Sequence, residues 1–262
     1  MPVWVGTSGY NYPEWKGTFY PQKMPTSKML PYYAERFATV EINYTFYRMP
    51  NEKILAGWNR ETPDHVKLTL KAPKRITHDA RLRNCSEPLA LFLQVAQTLG
   101  PKLGAILFQL PPFFRKDLSV LDTFLAELPA GLCATFEFRH ASWLDEEVFA
   151  RLQERNLALC IADSEKSSTP VRMTADYAYF RLRDEGYTPE DITKWARTIQ
   201  AATGAQRRES REAPAARRGE AGQCRDVYVY FKHEESGIGP EFARLLLKDL
   251  GCPGPMTYPP GG

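Results

Sequence analysis

The sequence of 262 residues predicts an α/β protein with a single TIM-like β/α barrel of about eight parallel strands. Three observations lead there. Short β-rich runs alternate with amphipathic helical stretches, and eight such runs can be counted. Eight repeats in about 250 residues match the size of a closed barrel. A doubly wound open sheet is the other fold that this alternation allows. At 43% hydrophobic and 25% charged residues, the composition is that of a globular protein with a substantial core.

The strands follow in order. The first is "VWVG" (Val3 to Gly6), then "TVEIN" (Thr39 to Asn43), "VKLTLK" (Val66 to Lys71) and "GAILFQL" (Gly104 to Leu110). The second half continues with "CATFEFR" (Cys133 to Arg139), "LALCIAD" (Leu157 to Asp163), "YAYFRLR" (Tyr177 to Arg183) and "VYVYFK" (Val227 to Lys232). All are rich in β-branched or aromatic residues. Between most of them lie stretches such as "EPLALFLQVAQTL" (Glu87 to Leu99) and "DEEVFARLQERN" (Asp145 to Asn156). Their apolar residues recur at helical spacing, and their acidic starts suit a helix amino end. The link from Ser164 to Asp176 is too short for a good helix.

Residues 203–224, "TGAQRRESREAPAARRGEAGQC", contain no large apolar side chain and are expected to form a flexible basic insertion. A flexible tail is expected from about residue 253. Six Arg and three Glu lie between Arg207 and Arg225; setting them aside leaves 28 basic and 28 acidic residues, so the folded body is neutral. The insertion could touch nucleic acid through its Arg residues, but it lacks the interleaved aromatics of a base-stacking surface. The start "MPVWVGTSGY" has neither the basic opening nor the apolar run of a secretory signal, and no stretch is long and apolar enough to span a membrane. A cytoplasmic protein with reduced thiols is expected: the five cysteines (Cys85, Cys133, Cys160, Cys224, Cys252) show no metal-ligand spacing. No motif calls for a cofactor.

In a β/α barrel the chemistry sits at the carboxyl-terminal ends of the strands, and residues two apart share a face. That rule gathers Glu41 and Asn43, Lys71, Gln109, Glu137 and Arg139, Asp163, Arg181 and Arg183, and Lys232 at one mouth. An unpaired buried charge costs several kcal/mol, so the set is either a functional site or an ion-pair plug that satisfies itself. Glu41 and Glu137 are the paired carboxylates for acid–base work, with Lys71 or Arg139 adjusting them and His78 an alternative base. Asn43, Gln109, Arg139, Arg181 and Lys232 are expected to bind substrate.

The opening stretch "VGTSGYNYPEWKGTFYP" (Val5 to Pro21) has neither the glycine spacing of a nucleophile elbow nor that of a phosphate loop. It reads as a glycine-permitted turn and a loop whose aromatics, Tyr10 and Trp15 among them, form either a stacking wall or a seal on the barrel end. Tyr44, Phe46 and Tyr47 would extend that wall.

The ordered blocks "GTSGY", "FYP", "TVEINYTFYRMP", "LKAPKRITH", "QLPP", "FEFRHASW" and "VYVYF" resemble the signature of the family catalogued as domain of unknown function number seventy-two. The resemblance runs from Gly6 to about Phe231 and implies a TIM-like barrel, without naming a substrate. Two departures fall at the mouth. Lys232 and His233 stand where the family usually has two asparagines, and Arg183 and Asp184 stand where it has His-Gly.

Three acids against five bases make the expected mouth electropositive, which favours a small phosphorylated or carboxylated ligand. The expectation is an enzyme acting on such a molecule by hydrolysis or proton transfer. The alternatives are a metal-dependent phosphoesterase or nuclease using His78, His140 or His233, and a noncatalytic ligand- or nucleic-acid-binding protein.

Overall fold

A computed structural model of the chain describes residues 2–165, 167–212 and 226–252. Its nine strands are β1 (Val3–Ser8), β2 (Thr39–Ile42), β3 (Lys67–Lys71), β4 (Leu103–Gln109), β5 (Ala134–Glu137), β6 (Ala158–Ser164), β7 (Ser167–Ser168), β8 (Ala178–Leu182) and β9 (Val227–Phe231). Eight of them pair in parallel and close on themselves: β1 bonds to both β2 and β9, and the circuit completes through β5–β6 and β6–β8. The two-residue β7 is an antiparallel flap on β6. All eight expected strands are present, and the open-sheet alternative is overturned by the β5–β6 pairing, which joins the two ends of the strand order.

The helices are α1 (Met29–Ala34), α2 (Tyr44–Tyr47), α3 (Glu52–Glu61), α4 (Ser86–Ala96), α5 (Leu118–Glu127), α6 (Glu146–Glu154), α7 (Pro189–Glu212) and α8 (Ile238–Asp249). Their starts are written locally. Asn51 Oδ1 accepts from Ile54 N at 3.0 Å, Asp117 Oδ1 from Val120 N at 3.1 Å, and Asp145 Oδ1 from Glu147 N at 2.9 Å, each satisfying an amide that the first turn leaves open.

Helix α7 bears on the start of one expected segment. It continues to Glu212, ten residues into the segment expected to be a flexible insertion. Lack of apolar residues excludes burial but not helix, and Ala, Gln, Arg and Glu are strong helix formers with Pro214 just beyond. Residues 213–224, and the expected tail from residue 253, lie outside the described residues. The thiols are corrected in part: Cys85, Cys160 and Cys252 are free, whereas Cys133 is disulfide-bonded.

Two apolar layers hold the barrel. The outer one packs the strands' outward faces, such as Val40, Leu68, Phe108 and Phe180, against the helices. The inner one is small: Ala105, Leu107, Cys160, Ala162, Tyr179, Tyr228 and Tyr230 fill the interior. The Tyr230 hydroxyl bonds Thr39 Oγ1 at 2.6 Å and Thr69 Oγ1 at 2.8 Å, tying β9 to β2 and β3 across the interior. Between β1 and β2 the Tyr33 hydroxyl, from α1, is inserted. It accepts from Thr7 N at 2.8 Å and donates to Thr39 O at 3.2 Å. A Cβ on Gly6 would stand 2.1 Å from Thr39 O and 2.9 Å from that hydroxyl, so only glycine permits the insertion.

Candidate functional site

Strand register builds the mouth. β1 and β2 pair Ser8 with Glu41, and β4 and β5 pair Gln109 with Glu137, so the polar inward residues arrive at one height. Arg181 extends from β8 into their midst. Its Nε donates to Glu41 Oε2 at 2.9 Å and its Nη2 to Glu41 Oε1 at 2.8 Å. Nη1 donates to Glu137 Oε2, and Nη2 also reaches Ser8 Oγ at 3.1 Å. Glu41 completes its shell with the hydroxyls of Ser8 and, at 2.5 Å, Tyr179. These three charged side chains are at most 1% exposed.

This floor is satisfied and ionised. Burial pushes the Glu41 carboxyl up, but Arg181 and the hydroxyls of Ser8 and Tyr179 outweigh it and hold the group below the ordinary carboxylate range. Burial acts on Glu137 in the same way and is overcome by Arg181, Arg139, Arg183 and Lys71, so its pKa is also lowered. Neither carboxylate is a poised acid or base. The plug therefore describes the floor of the mouth: Arg181 pairs with both Glu41 and Glu137, and Arg139, bonded to Glu137, supplies the second positive charge that balances the two carboxylates.

The rim differs. Arg139 Nε bonds Glu137 Oε1 at 2.9 Å and its Nη2 bonds Gln109 Oε1 at 3.0 Å, while the side chain stays 28% exposed. Asn43 Nδ2 donates to Ser8 Oγ at 2.9 Å, and Lys232 pairs loosely with Glu234 at 3.3 Å. Arg183 and Lys71 have no counterion among the described residues, and Arg183 Nε is buried without an acceptor. Lys71 Nζ lies 3.9 Å from the centroid of the Phe46 ring. Burial first, then repulsion from Arg181, brings its pKa down to about 7, with Glu137 and Glu41 opposing. His78 packs edge-on against the same ring, 4.9 Å between centroids, with Nδ1 bonded to Thr77 Oγ1 at 2.9 Å. Burial and the nearby Lys71 and Arg139 lower it to about 4, so at neutral pH its imidazole is uncharged.

Several expected site residues lie elsewhere. Asp163 is displaced by one position: Ala162 packs in the inner cluster, so Asp163 faces out, accepting from the Tyr187 hydroxyl at 2.7 Å beside Trp195 of α7. Trp15 is fully buried, its ring 6.1 Å from that of Tyr20, and Tyr10 packs on the same core, so those aromatics seal the barrel end. Large apolar rings have more to gain from one another than from solvent at a loop tip. Tyr47 does stand free at 75% exposure, edge-on to Phe46.

The histidines are dispersed. His140 bonds Ser142 Oγ at 2.9 Å, and His233 Nε2 meets the Asp184 carbonyl at 2.7 Å while packing on Phe242 of α8. Among the described residues no group of three or more His, Cys, Asp or Glu is arranged to hold a metal ion. Nor is any helix among them long and apolar enough to cross a membrane.

The sequence missed two members of the floor. Ser8 lies two residues beyond Gly6, where the first strand was expected to end, and Tyr179 shares a face with Arg181 two positions on. Extending the alternation by one step at each place would have found both.

Comparison with known proteins places this geometry among relatives. Residues 4–260 match the family described as "Protein of unknown function DUF72". The chain is 29% identical over 168 residues to the UPF0759 protein YecE of Escherichia coli, a match spanning 62% of this chain and 59% of that relative. With the UPF0759 protein YunF of Bacillus subtilis the identity is 22% over 270 residues, covering 95% of this chain and 94% of the relative. A DUF72 family protein of Thermotoga maritima, 24% identical, is similar in structure at a TM-score of 0.75 over 96% of this chain and 100% of its own. Another, from Enterococcus faecalis, is 18% identical with a TM-score of 0.73 over 96% and 98% of the two chains. At these identities the likeness to solved structures carries the fold alone.

Proposed function

The chain belongs to the DUF72 family, and from that premise we propose that it is an enzyme acting on a small phosphorylated or carboxylated molecule at the barrel mouth, by hydrolysis or proton transfer. One observation carries this reading. Above a floor whose charges are matched once Arg139 is counted, Arg183 and Lys71 form no ion pair among the described residues. Unpaired cations held partly out of water favour an anion, because its arrival removes the desolvation cost that the fold alone leaves standing.

In this reading Arg183, Arg139 and Lys232 hold the anion, with Asn43 and Gln109 at its edges. Lys71 and the uncharged His78 take the acid–base roles, since both release protons at or below neutral pH. Glu41 and Glu137 position Arg181 and Arg139 and stay ionised. Phosphate and sulfate are expected to raise the melting temperature in the manner of mass action, while uncharged polyols do not. A flat response to phosphate, sulfate and small carboxylates would remove the anion site and the enzyme built on it.

A further inference from the structure

We propose that Lys71 is a covalent catalytic residue whose amine condenses with a carbonyl group of the bound anion, so that the substrate class is an aldehyde or ketone bearing a carboxylate or phosphate. The inference rests on the anion site above and narrows it.

Geometry singles out this lysine. It ends β3, half-buried, with its stem inside the mouth and Nζ over the Phe46 face. Its amine makes no ion pair or hydrogen bond among the described residues. The charged groups around it are Arg181 on β8, Glu137 and Arg139 at the end of β5, Glu41 on β2, and the imidazole of His78 just beyond β3. Both carboxylates are already taken up by arginines, so neither fixes the ammonium form by direct contact. An arginine would serve charge alone better, since it keeps its proton and bonds an anion with two parallel donors. A lysine desolvated beside other cations has a different use: it loses its proton near neutral pH and becomes a nucleophile.

The step balances without an oxidant or reductant. The Nζ lone pair attacks the carbonyl carbon, a C–N bond forms, and the C=O π pair moves to oxygen. The nitrogen's surplus proton passes to that oxygen, with His78 Nε2, unengaged among the described residues, placed on the other contact of Phe46 as the relay. A second proton, drawn from solvent, lets the oxygen depart as water and leaves an iminium ion. The carbon next to it then gives up a proton or a carbon substituent more easily, because the positive nitrogen accepts the electron pair.

The test uses the whole protein. It is incubated near neutral pH with pyruvate or glyoxylate and sodium borohydride, then mapped by peptide mass spectrometry. The expected result is one dominant adduct, on Lys71, carrying the probe's mass less one oxygen atom and at least roughly tenfold above any other lysine. Lactate, which has no ketone, should give none, and Lys71→Arg should abolish the adduct while phosphate still raises the melting temperature. Mapping the wild type does not depend on how well the variant folds. No adduct, or labelling spread evenly over surface lysines, overturns the imine. If phosphate stabilisation persists in those same samples, only the covalent step is lost; if it is absent too, the anion site falls with it.

Discussion

Arg181 lies along the edge of Glu41, donating through Nε at 2.9 Å and Nη2 at 2.8 Å, and turns Nη1 to Glu137. One guanidinium thus joins carboxylates from β2 and β5 across the barrel interior, with every charged member at most 1% exposed. Such an arrangement adds less net stability than its contacts imply, because each charge first had to leave water. Removing one member is another matter, since it strands the rest.

Glu137→Gln is therefore expected to destabilise the fold by about 3–5 kcal/mol, leaving Arg181 and Arg139 without their shared anion. Urea unfolding at neutral pH measures it, as a lower midpoint at similar slope. A loss below about 1 kcal/mol would mean that water reaches these groups and that the floor is not a buried network.

Acid is expected to act in two separate windows. His78 has a folded pKa of about 4 against an ordinary 6.5, so protonation favours the unfolded chain and stability falls as pH drops between those values. The ring is partly exposed, which limits the loss to about 1 kcal/mol. Glu41 and Glu137 have lowered folded pKa values, so their contribution is present above the ordinary 4.5 and disappears as pH falls below it. Lys71 is depressed from 10.5 to about 7, so stability falls as pH drops from 10.5 to about 7 and the cost stays constant below that, adding no slope in acid. His78→Asn should flatten the first window and leave the second. Equal slopes for variant and wild type in urea titrations above pH 5 would count against a desolvated His78.

Much of the barrel was legible because strand and helix periods differ and alternate along the chain. Glu41, Asn43, Lys71, Gln109, Glu137, Arg139 and Arg181 reach the mouth by the same two-residue alternation that the sequence displays. Asp163 shows where that rule breaks. It is the last residue of its apolar run, but the inward phase of β6 is set by Cys160 and Ala162, both too small and apolar to announce a direction. Trp15 and Tyr10 fail for another reason: whether a loop aromatic faces a ligand or the core depends on how the loop folds back, which residue type does not record. The division of the mouth into a buried ion-pair floor and a rim where Arg183 and Lys71 form no ion pair among the described residues was also hidden, since it depends on which arginine reaches which carboxylate.

Gly6→Ala tests the Tyr33 insertion. The added methyl would meet a backbone carbonyl at 2.1 Å, which no rotamer change relieves, and it would press on the hydroxyl that serves Thr7 and Thr39. A loss of at least about 3 kcal/mol is expected from overpacking together with the displaced bonds. Tyr33→Phe should cost less, about 1–2 kcal/mol, because it removes the bonds without forcing β1 and β2 apart. Equal costs for the two variants would show that the hydroxyl, and not the close approach of the strands, is what Gly6 protects.

Arg183→Met is the sharpest separation of fold from function. Burial lowers the pKa of this guanidinium, Glu137 draws it back, and Arg181 and Arg139 repel it. Its Nε has no acceptor and the side chain forms no ion pair among the described residues, so only the longer-range pull of Glu137 opposes its desolvation. Methionine keeps an apolar stem of similar reach and removes both the orphan donor and the repulsion. Stability is expected to rise by about 1 kcal/mol, as happens when a residue held for binding is replaced by one suited to the fold. Affinity for phosphate should fall by roughly tenfold, since a charge-assisted contact to the anion is lost. Melting curves with and without phosphate give both quantities on the same samples. A variant that is less stable than wild type yet keeps its full response to phosphate would place Arg183 in the architecture and leave the anion to Arg139 and Lys232.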